Sequence, residues 1–293
     1  MQNHKRRKFL KTSLQITGAL ALSSTTNLLA NQQNQTKGIS MQLTNNAQQN
    51  LEALFGNPNL SELAKTDPEF MQNYANFAFD EVYQESEILP LQTRLKLILG
   101  SLIATQGISE FKNFAQASLK NGVSPVEIKE IIYQATPYVG MGKSLEFILA
   151  SNEVFKANKI KLPLESQTTT TRENRQEKGL AIQRHYFGES IDKGNAAARA
   201  DVKHIRRFLS ANCFGDYYTR KGLDMNFREL LTFAILISLG GAEPQVKAHI
   251  QGNLNIGNGR KILLATTTAL VPYIGYPRSL NALNAIDEIT LMK

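Results

Sequence analysis

The stretches "NGVSPVEIKEIIYQATPYVGMGKSLEFI" (residues 121–148) and "IGNGRKILLATTTALVPYIGYPRSLNAL" (residues 256–283) decide the fold of this chain, because they are two versions of one sequence. They align at a constant offset of 135, and both contain a Pro-Tyr-x-Gly segment followed by a Ser-Leu pair. Self-similarity at a fixed period indicates that one structural unit is repeated. The tyrosines of the shared segment, Tyr138 and Tyr273, recur in both copies, so we assign them to packing.

The apolar residues of each copy have the spacing of helices. They recur at helical intervals in "TRLKLILGSLIATQG" (93–107) and "FRELLTFAILISLGG" (227–241), and both stretches end in glycine, which commonly terminates a helix. In the first copy, "SPVE" (124–127) supplies an N-cap, a proline at the first helical position and an acid in the first turn. No segment alternates with the period of a strand. The sequence therefore predicts an all-α fold of two tandem helical repeats.

Composition marks the boundaries between the parts of the chain. Residues 158–171 are mostly polar, contain a run of four threonines and lack apolar periodicity, which predicts a linker. We place the first repeat at residues 46–157 and the second at residues 172–290. Residues 31–45, rich in Gln and Asn, are predicted to form a polar tether.

The first 30 residues have the pattern of an export signal. They contain five Lys or Arg residues and no acid, followed at 14–22 by an apolar segment too short to span a bilayer stably. The run "RRKFLK" (6–11) resembles the twin-arginine motif, which routes folded proteins across the membrane. The sequence thus predicts a periplasmic protein with no stable membrane span after signal cleavage. An uncleaved basic tail is the alternative.

Charge and cysteine content exclude several classes of function. The formal net charge is +8, but five of the positive charges lie in the first 30 residues, so the rest of the chain carries +3. No basic helix interleaved with stacking aromatics follows, and we expect no nucleic-acid partner. Cys213 is the only cysteine, which rules out an intramolecular disulfide.

The second copy resembles a known family. "FGDYYTRKGLDMNFRELLTFAILISLGGAEPQVKAHIQGNLNIG" (214–257), followed by "VPYIGYPRSLNAL" (271–283), is similar to the carboxymuconolactone decarboxylase family. The first copy is similar more loosely, through "RLKLILGSLIA" (94–104) and "SEFKNFAQASLKNGVSPVEIKEII" (109–132). The resemblance implies an all-α fold related to alkyl hydroperoxidase D and homo-oligomers around a symmetry axis. It also implies one of two chemistries, cofactor-free lactone decarboxylation or thiol-dependent peroxide reduction.

The peroxidase chemistry requires a Cys-x-x-Cys pair beside the family histidine, because one thiolate is oxidised and the second resolves it. The segment that would carry this pair begins "GAEPQ" (241–245) in the second copy and "GISE" (107–110) in the first, without sulfur in either. Cys213 lies well outside these segments and is better explained as a small core residue. A thiol-dependent peroxidase is therefore the weakest of the alternatives.

The decarboxylase chemistry fits the residues better. The resemblance places the family histidine at His249 and the acid six residues before it at Glu243, both as catalytic residues. It places basic positions at Arg220 and Arg228, where guanidinium groups suit a substrate carboxylate. In the family reaction the unsaturated lactone is its own electron sink, so neither a cofactor nor a metal is implied. The expected function is an exported decarboxylase-like enzyme acting on a carboxylated lactone or a similar small acid.

The first copy provides the opposing interpretation. It has Phe114 in the place of His249, so the fold forms without the imidazole, and His249→Phe is expected on this comparison to cost no more than about 1–1.5 kcal/mol. Arg94 occupies the place of Arg228 at an offset of 134, which is equally explained by pairing with an acid across the repeat interface. Glu243 stands where a carboxylate favours a helix start. A non-catalytic binding or oligomerisation module is therefore the alternative function.

Overall fold

The computed structural model describes residues 41–56 and 62–291, and within these ranges every regular element is helical and no strand occurs. The predicted all-α class is confirmed. The predicted export signal and most of the predicted polar tether lie outside the described residues. Among the described helices, none combines the length and the apolar character that crossing a membrane requires.

The first copy is a succession of eight α-helices in the described ranges. They are α1 (Asn45–Phe55), α2 (Glu62–Thr66), α3 (Pro68–Asn76), α4 (Val82–Glu85), α5 (Leu91–Thr105), α6 (Ile108–Lys120), α7 (Pro125–Val139) and α8 (Met141–Ala157). A π-helical segment, Phe77–Glu81, joins α3 to α4. The N-cap predicted at the start of α7 is present and forms a capping box, because Ser124 and Glu127 each bond to the other's backbone amide.

The second copy repeats this order. Its helices are α9 (Arg175–Phe187), α10 (Ser190–Ala196), α11 (Lys203–Phe208), α12 (Met225–Leu239), α13 (Glu243–Asn255) and α14 (Arg260–Leu291). A longer π-helical segment, Leu209–Tyr218, joins α11 to the turn before α12. The helices α5, α6 and α7 of the first copy correspond to α12, α13 and the first part of α14, which confirms the two tandem helical repeats.

The Pro-Tyr-x-Gly segments interrupt the helices at the glycine. Gly140 ends α7 and Gly275 kinks α14, with φ angles of 90° and 74° that a residue with a side chain rarely adopts. Pro137 and Pro272 lie inside the helices that precede these glycines. Each helix is therefore interrupted three residues after its proline.

The two copies pack against each other through α5 and α12. The helices approach most closely at Gly100, where a Cβ atom would lie 2.5 Å from Cδ1 of Leu231. Further along, the Ser238 hydroxyl donates to the hydroxyl of Ser101 at 2.9 Å, which satisfies two polar groups in the apolar contact. Both copies thus contribute to one hydrophobic core.

The segment predicted as a linker is held on the second copy by hydrogen bonds. The Thr169 hydroxyl donates to the carbonyl of Thr219 at 2.7 Å, and the Thr170 hydroxyl donates to that of Gly215 at 3.0 Å. The carbonyl of Gln167 accepts from the amide of Lys221 at 2.9 Å. The threonine run thus supplies side-chain donors that fix a segment without helical bonds of its own.

Helix α9 and the π-helical segment Leu209–Tyr218 pack closely because both carry a glycine at the contact. A Cβ atom on Gly179 would lie 1.9 Å from the carbonyl oxygen of Ser210, and one on Gly215 would lie 2.1 Å from that of Arg175. These backbone contacts leave no room for a side chain. Together the two elements form a small aromatic cluster around Tyr186 and Tyr218.

Candidate active site around His249

His249 lies on α13 and is nearly buried, with 8% of its surface exposed. Its Nδ1 atom is 2.7 Å from Oε1 of Glu229, a fully buried residue on α12. Opposite an ionised carboxylate, which can only accept hydrogen bonds, the tautomer that fits this contact has its proton on Nδ1 and leaves Nε2 for other partners.

Two residues of α13 hold the helix against Glu229. The side-chain amide of Asn253 donates to the carbonyl of Glu229 at 3.1 Å and to that of His249 at 2.7 Å. Gly252 allows the close approach, because a Cβ atom there would lie 2.3 Å from Oε1 of Glu229. The sequence "HIQGN" (249–253) therefore supplies the imidazole, the space for its partner and the amide that locks the two helices together.

The second carboxylate oxygen of Glu229, Oε2, is buried without a hydrogen-bond partner in the described structure. Leaving a buried polar atom unpaired typically costs about 1–3 kcal/mol, and more for a charged group. Such an atom in a native fold calls for an explanation, of which a catalytic role is one.

Two aromatic rings enclose the imidazole. The rings of Phe187 and Tyr138 contact that of His249 edge to face, with centroids at 5.2 and 6.1 Å. Tyr138 comes from the first copy, so this site contains residues from both repeats. Each copy thus places the tyrosine of its Pro-Tyr-x-Gly segment against the other copy: the ring of Tyr273 packs on that of Phe114, with centroids 5.4 Å apart.

The hydroxyl of Tyr138 begins a chain of hydrogen bonds that leads away from His249. It lies 2.8 Å from the hydroxyl of Tyr218, which in turn bonds to the hydroxyl of Thr232. Thr232 donates to the carbonyl of Arg228 at 3.0 Å and accepts from the side chain of Gln134 at 3.0 Å. Because the proton of Thr232 is used, Tyr218 donates to Thr232 and Tyr138 donates to Tyr218. The phenols are therefore occupied, in agreement with a packing role.

The groups around the pair are neutral. Burial raises the pKa of Tyr138 and of Tyr218 well above the usual value, and raises the pKa of the Cys213 thiol to about 12. The negative charge of Glu229 raises each of these pKa values further. All three groups keep their protons in the neutral range, so none of them places a charge beside the pair.

Glu243 is the first residue of α13, and its side chain is exposed. A residue six positions before His249 on a helix is rotated by about 240° from it, so the two side chains leave the helix on different faces. The structure brings Glu229, not Glu243, to the imidazole.

The two predicted arginines both bind Glu130, a buried residue of α7. Arg228 is fully buried and donates to Oε2 of Glu130 at 3.0 Å, to Gln134 at 2.8 Å and to two backbone carbonyls. Arg220 donates to both oxygens of Glu130, from Nε at 3.0 and 3.1 Å. In the described part of the chain, neither guanidinium group bonds to the His249 pair. For Arg228 this matches the alternative of pairing across the repeat interface.

Glu229 is the site residue that sequence reasoning missed. Its presence could have been inferred from three positions at which the two copies differ. At the aligned positions the second copy has Glu229, His249 and Gly252, and the first copy has Leu95, Phe114 and Ala117. The acid, the imidazole and the glycine that makes room for their contact are present together in one copy and absent together from the other.

Potential metal ligands are not clustered in the described ranges, where no group of three or more His, Cys, Asp or Glu side chains is placed to hold an ion. Cys213 is a free, buried thiol, 3.9 Å from the hydroxyl of Tyr138. Among the described residues of this site, the groups suited to acid–base chemistry are therefore His249 and Glu229.

Comparison with known proteins gives two matches. The model of the carboxymuconolactone decarboxylase family matches residues 68–153 and 204–288, one region in each copy. The 4-carboxymuconolactone decarboxylase of Acinetobacter baylyi is 25% identical over 118 residues, which cover 40% of this chain and 87% of that protein. That relative therefore aligns with a stretch about the length of one repeat.

The pairing of His249 with Glu229 predicts a coupled effect on stability. His249→Phe leaves a buried carboxylate without its partner, so we expect a loss of about 3–5 kcal/mol in the free energy of unfolding. This loss is larger than the cost of about 1–1.5 kcal/mol expected from the comparison with the first copy. The first copy has Leu95 in place of the acid, so its Phe114 leaves no carboxylate unpaired. The double variant Glu229→Leu with His249→Phe reproduces the first copy's combination and should recover most of the loss. Chemical denaturation of the single and double variants measures the coupling.

Glu243→Gln is the matched control, because this exposed carboxylate should change stability by no more than about 0.5 kcal/mol. Equal losses in His249→Phe and in the double variant would show that the imidazole and the carboxylate are not coupled.

Proposed function

The chain belongs to the carboxymuconolactone decarboxylase family, and from this premise we propose that it is a cofactor-free decarboxylase-like enzyme acting on a carboxylated lactone or a similar small acid. The observation that carries the proposal is the buried His249–Glu229 pair with its unpaired carboxylate oxygen. The first copy keeps the scaffold without this pair, so packing alone does not require it. We assign the active site to the second copy.

In the proposed reaction, the bond between the γ-carbon of a butenolide and its carboxylate breaks and carbon dioxide leaves. The electron pair of that bond delocalises through the ring into the lactone carbonyl and forms a dienolate. His249 then transfers the proton on Nε2 to the α-carbon, which completes the balance of charge and atoms. The imidazole is the group that must meet the substrate.

Glu229 acts through His249 as a positioning residue. It holds the Nδ1 proton and so turns Nε2 to the outside of the pair, and its negative charge stabilises the imidazolium before proton transfer. The rings of Phe187 and Tyr138 exclude water from the bond, and a hydrogen bond to a charged group is stronger in such surroundings. The same charge on an exposed residue such as Glu243 would have a weaker effect.

The enclosure of His249 favours a second candidate function. Two rings contact the imidazole, and only 10% of its side chain is exposed, which is also compatible with a binding or oligomerisation module without turnover. A thiol-dependent peroxidase has less support, because the pKa of about 12 keeps Cys213 protonated and the chain has no second cysteine.

Carbon dioxide release from a panel of carboxylated butenolides tests the function. We expect His249→Phe to lower kcat by about 100-fold or more, the scale of a lost general acid, and Glu229→Gln to lower it by about tenfold or more. Glu243→Gln is the matched control, because the same change is made on an exposed residue.

A loss of activity in Glu243→Gln with full activity in Glu229→Gln would return the catalytic role to Glu243. Binding of the lactones by the parent protein without release of carbon dioxide would favour the binding module.

We also propose that the chain is exported to the periplasm, on the basis of Arg6 and Arg7 in the "RRKFLK" run. Replacing both arginines by lysine keeps the charge but removes the paired guanidinium groups. We expect this variant to remain in the cytoplasm, as measured by fractionation and immunoblotting against the parent protein. Unchanged export would contradict the twin-arginine assignment.

Homo-oligomer formation is the third proposal, and its support is a pair of exposed apolar side chains that recurs at equivalent positions of both copies. Met141 and Leu145 are exposed on α8, and Tyr276 and Leu280 are exposed at the corresponding positions of α14. Exposed apolar residues grouped on a surface are typical of protein contacts.

The double variant Leu145→Glu with Leu280→Glu should therefore lower the molar mass measured by light scattering at micromolar concentration to that of one chain. Lys143→Glu, at an exposed position on a different face of α8, is the control and should leave the assembly intact. A parent protein that is monomeric throughout this range would contradict the proposal.

A further inference from the structure

A cleft of about 500 Å³ lies between α7, α8 and the segment that connects the two copies. Val126 and Ile148 form the apolar wall of the cleft on the side of the helices. Leu162 and Leu164 form its apolar wall on the side of the connecting segment. The polar lining includes Lys129 and Arg220, which belong to different copies. The volume is in the range of small-molecule sites, which are typically about 300–1,000 Å³ and mostly apolar with a few polar groups.

Lys129 is a nearly buried cation with 7% of its surface exposed. Its ammonium donates to the carbonyl of Ile148 at 3.2 Å, to the hydroxyl of Ser151 at 2.7 Å and to the amide oxygen of Asn152 at 2.7 Å. All three acceptors are neutral, and no described carboxylate pairs with this lysine. Burial accordingly lowers the pKa of Lys129 to about 8. A buried charge normally has a counter-charge, and here the protein does not supply one.

The adjoining wall also has an excess of positive charge. Glu130 is a single buried carboxylate, and Arg220 and Arg228 both bind it. Together with Lys129, this part of the protein has three cations and one buried carboxylate. Glu165 lines the cleft on the connecting segment, but it is exposed and screened by water. Arg220 binds Glu130 through Nε and Nη2, and Nη1 is left without a described partner.

We propose that this cleft binds a small organic anion, with one or two carboxylates held near Lys129 and Arg220 and an apolar body against the aliphatic wall. The ligand supplies the negative charge that the protein lacks at this place. The site has no equivalent on the second copy's own helices, because Leu264 and Ala265 stand at the positions of Lys129 and Glu130 there. It is therefore different from the His249 site and does not depend on the proposed reaction.

Isothermal titration calorimetry with benzoate at neutral pH tests the site, with two comparison ligands. Benzyl alcohol has the apolar body without the charge, and inorganic phosphate has the charge without the body. We expect benzoate to bind at least about tenfold more tightly than either. Equal affinity for benzoate and benzyl alcohol would overturn the proposal.

Variants assign the binding to the cleft. Lys129→Met keeps the length of the side chain and removes its charge, and we expect it to weaken benzoate binding by about tenfold or more. Lys156→Met, at an exposed position of α8, is the matched control and should bind as the parent does. The variant Glu229→Leu with His249→Phe should also bind benzoate normally. Unchanged binding in Lys129→Met, or binding lost in the Glu229→Leu/His249→Phe variant, would place the anion elsewhere and overturn the proposal.

Chemical labelling provides a test in the unaltered protein. Acetic anhydride at about pH 8 acetylates unprotonated amines, and mass spectrometry follows Lys129 and Lys156 separately. Benzoate should slow the acetylation of Lys129 at least about tenfold at saturation and leave that of Lys156 unchanged. Equal rates at Lys129 with and without benzoate would contradict binding in the cleft.

Discussion

The buried ion pair between Arg228 and Glu130 fixes the orientation of α12 against the first copy. Arg228 is fully enclosed, and its bonds to Glu130 and Gln134 determine which face of α12 is turned towards α7. Successive residues on a helix are about 100° apart, so the next residue, Glu229, is directed to a different neighbour, His249 on α13. Removing one partner of such a buried pair typically costs about 3–5 kcal/mol. The first copy therefore helps to place the acid of the second copy's site, and it also contributes Tyr138 to that site.

The two copies share a scaffold and differ in their buried polar groups. The second copy has the acid and imidazole of the proposed active site, and it has Gly252 to accommodate them. The first copy has apolar residues at the positions of the acid and imidazole, but it has Lys129 in a cleft where the second copy has Leu264. Burying a charge reduces stability, so neither arrangement is explained by packing. The two proposed sites therefore lie at non-equivalent positions of the two copies.

The helical fold could be predicted because its determinants are local. The apolar periodicity of α5 and α12 and the glycines that end helices are each readable within a few residues. The residues that bind each other at the site are far apart in the sequence. Glu130 lies 98 residues before Arg228, and Glu229 lies 20 residues before His249 on another helix, so helix packing determines both contacts. The family resemblance implies Glu243 as the acid beside His249, and a match along the chain does not show which face of α13 a side chain occupies.

The tautomer of His249 distinguishes the proposed role of Glu229 from a packing role. The proposed role requires a Glu229 carboxylate that accepts the Nδ1 proton and leaves Nε2 for the substrate. Nitrogen-15 NMR of the imidazole, assigned by comparison with His249→Phe, reports the protonation of each nitrogen separately. We expect Nδ1 to be protonated in the parent protein, with its proton signal displaced downfield by the carboxylate, and we expect Glu229→Gln to remove that displacement. A neutral imidazole with its proton on Nε2 and a bare Nδ1 would contradict the account.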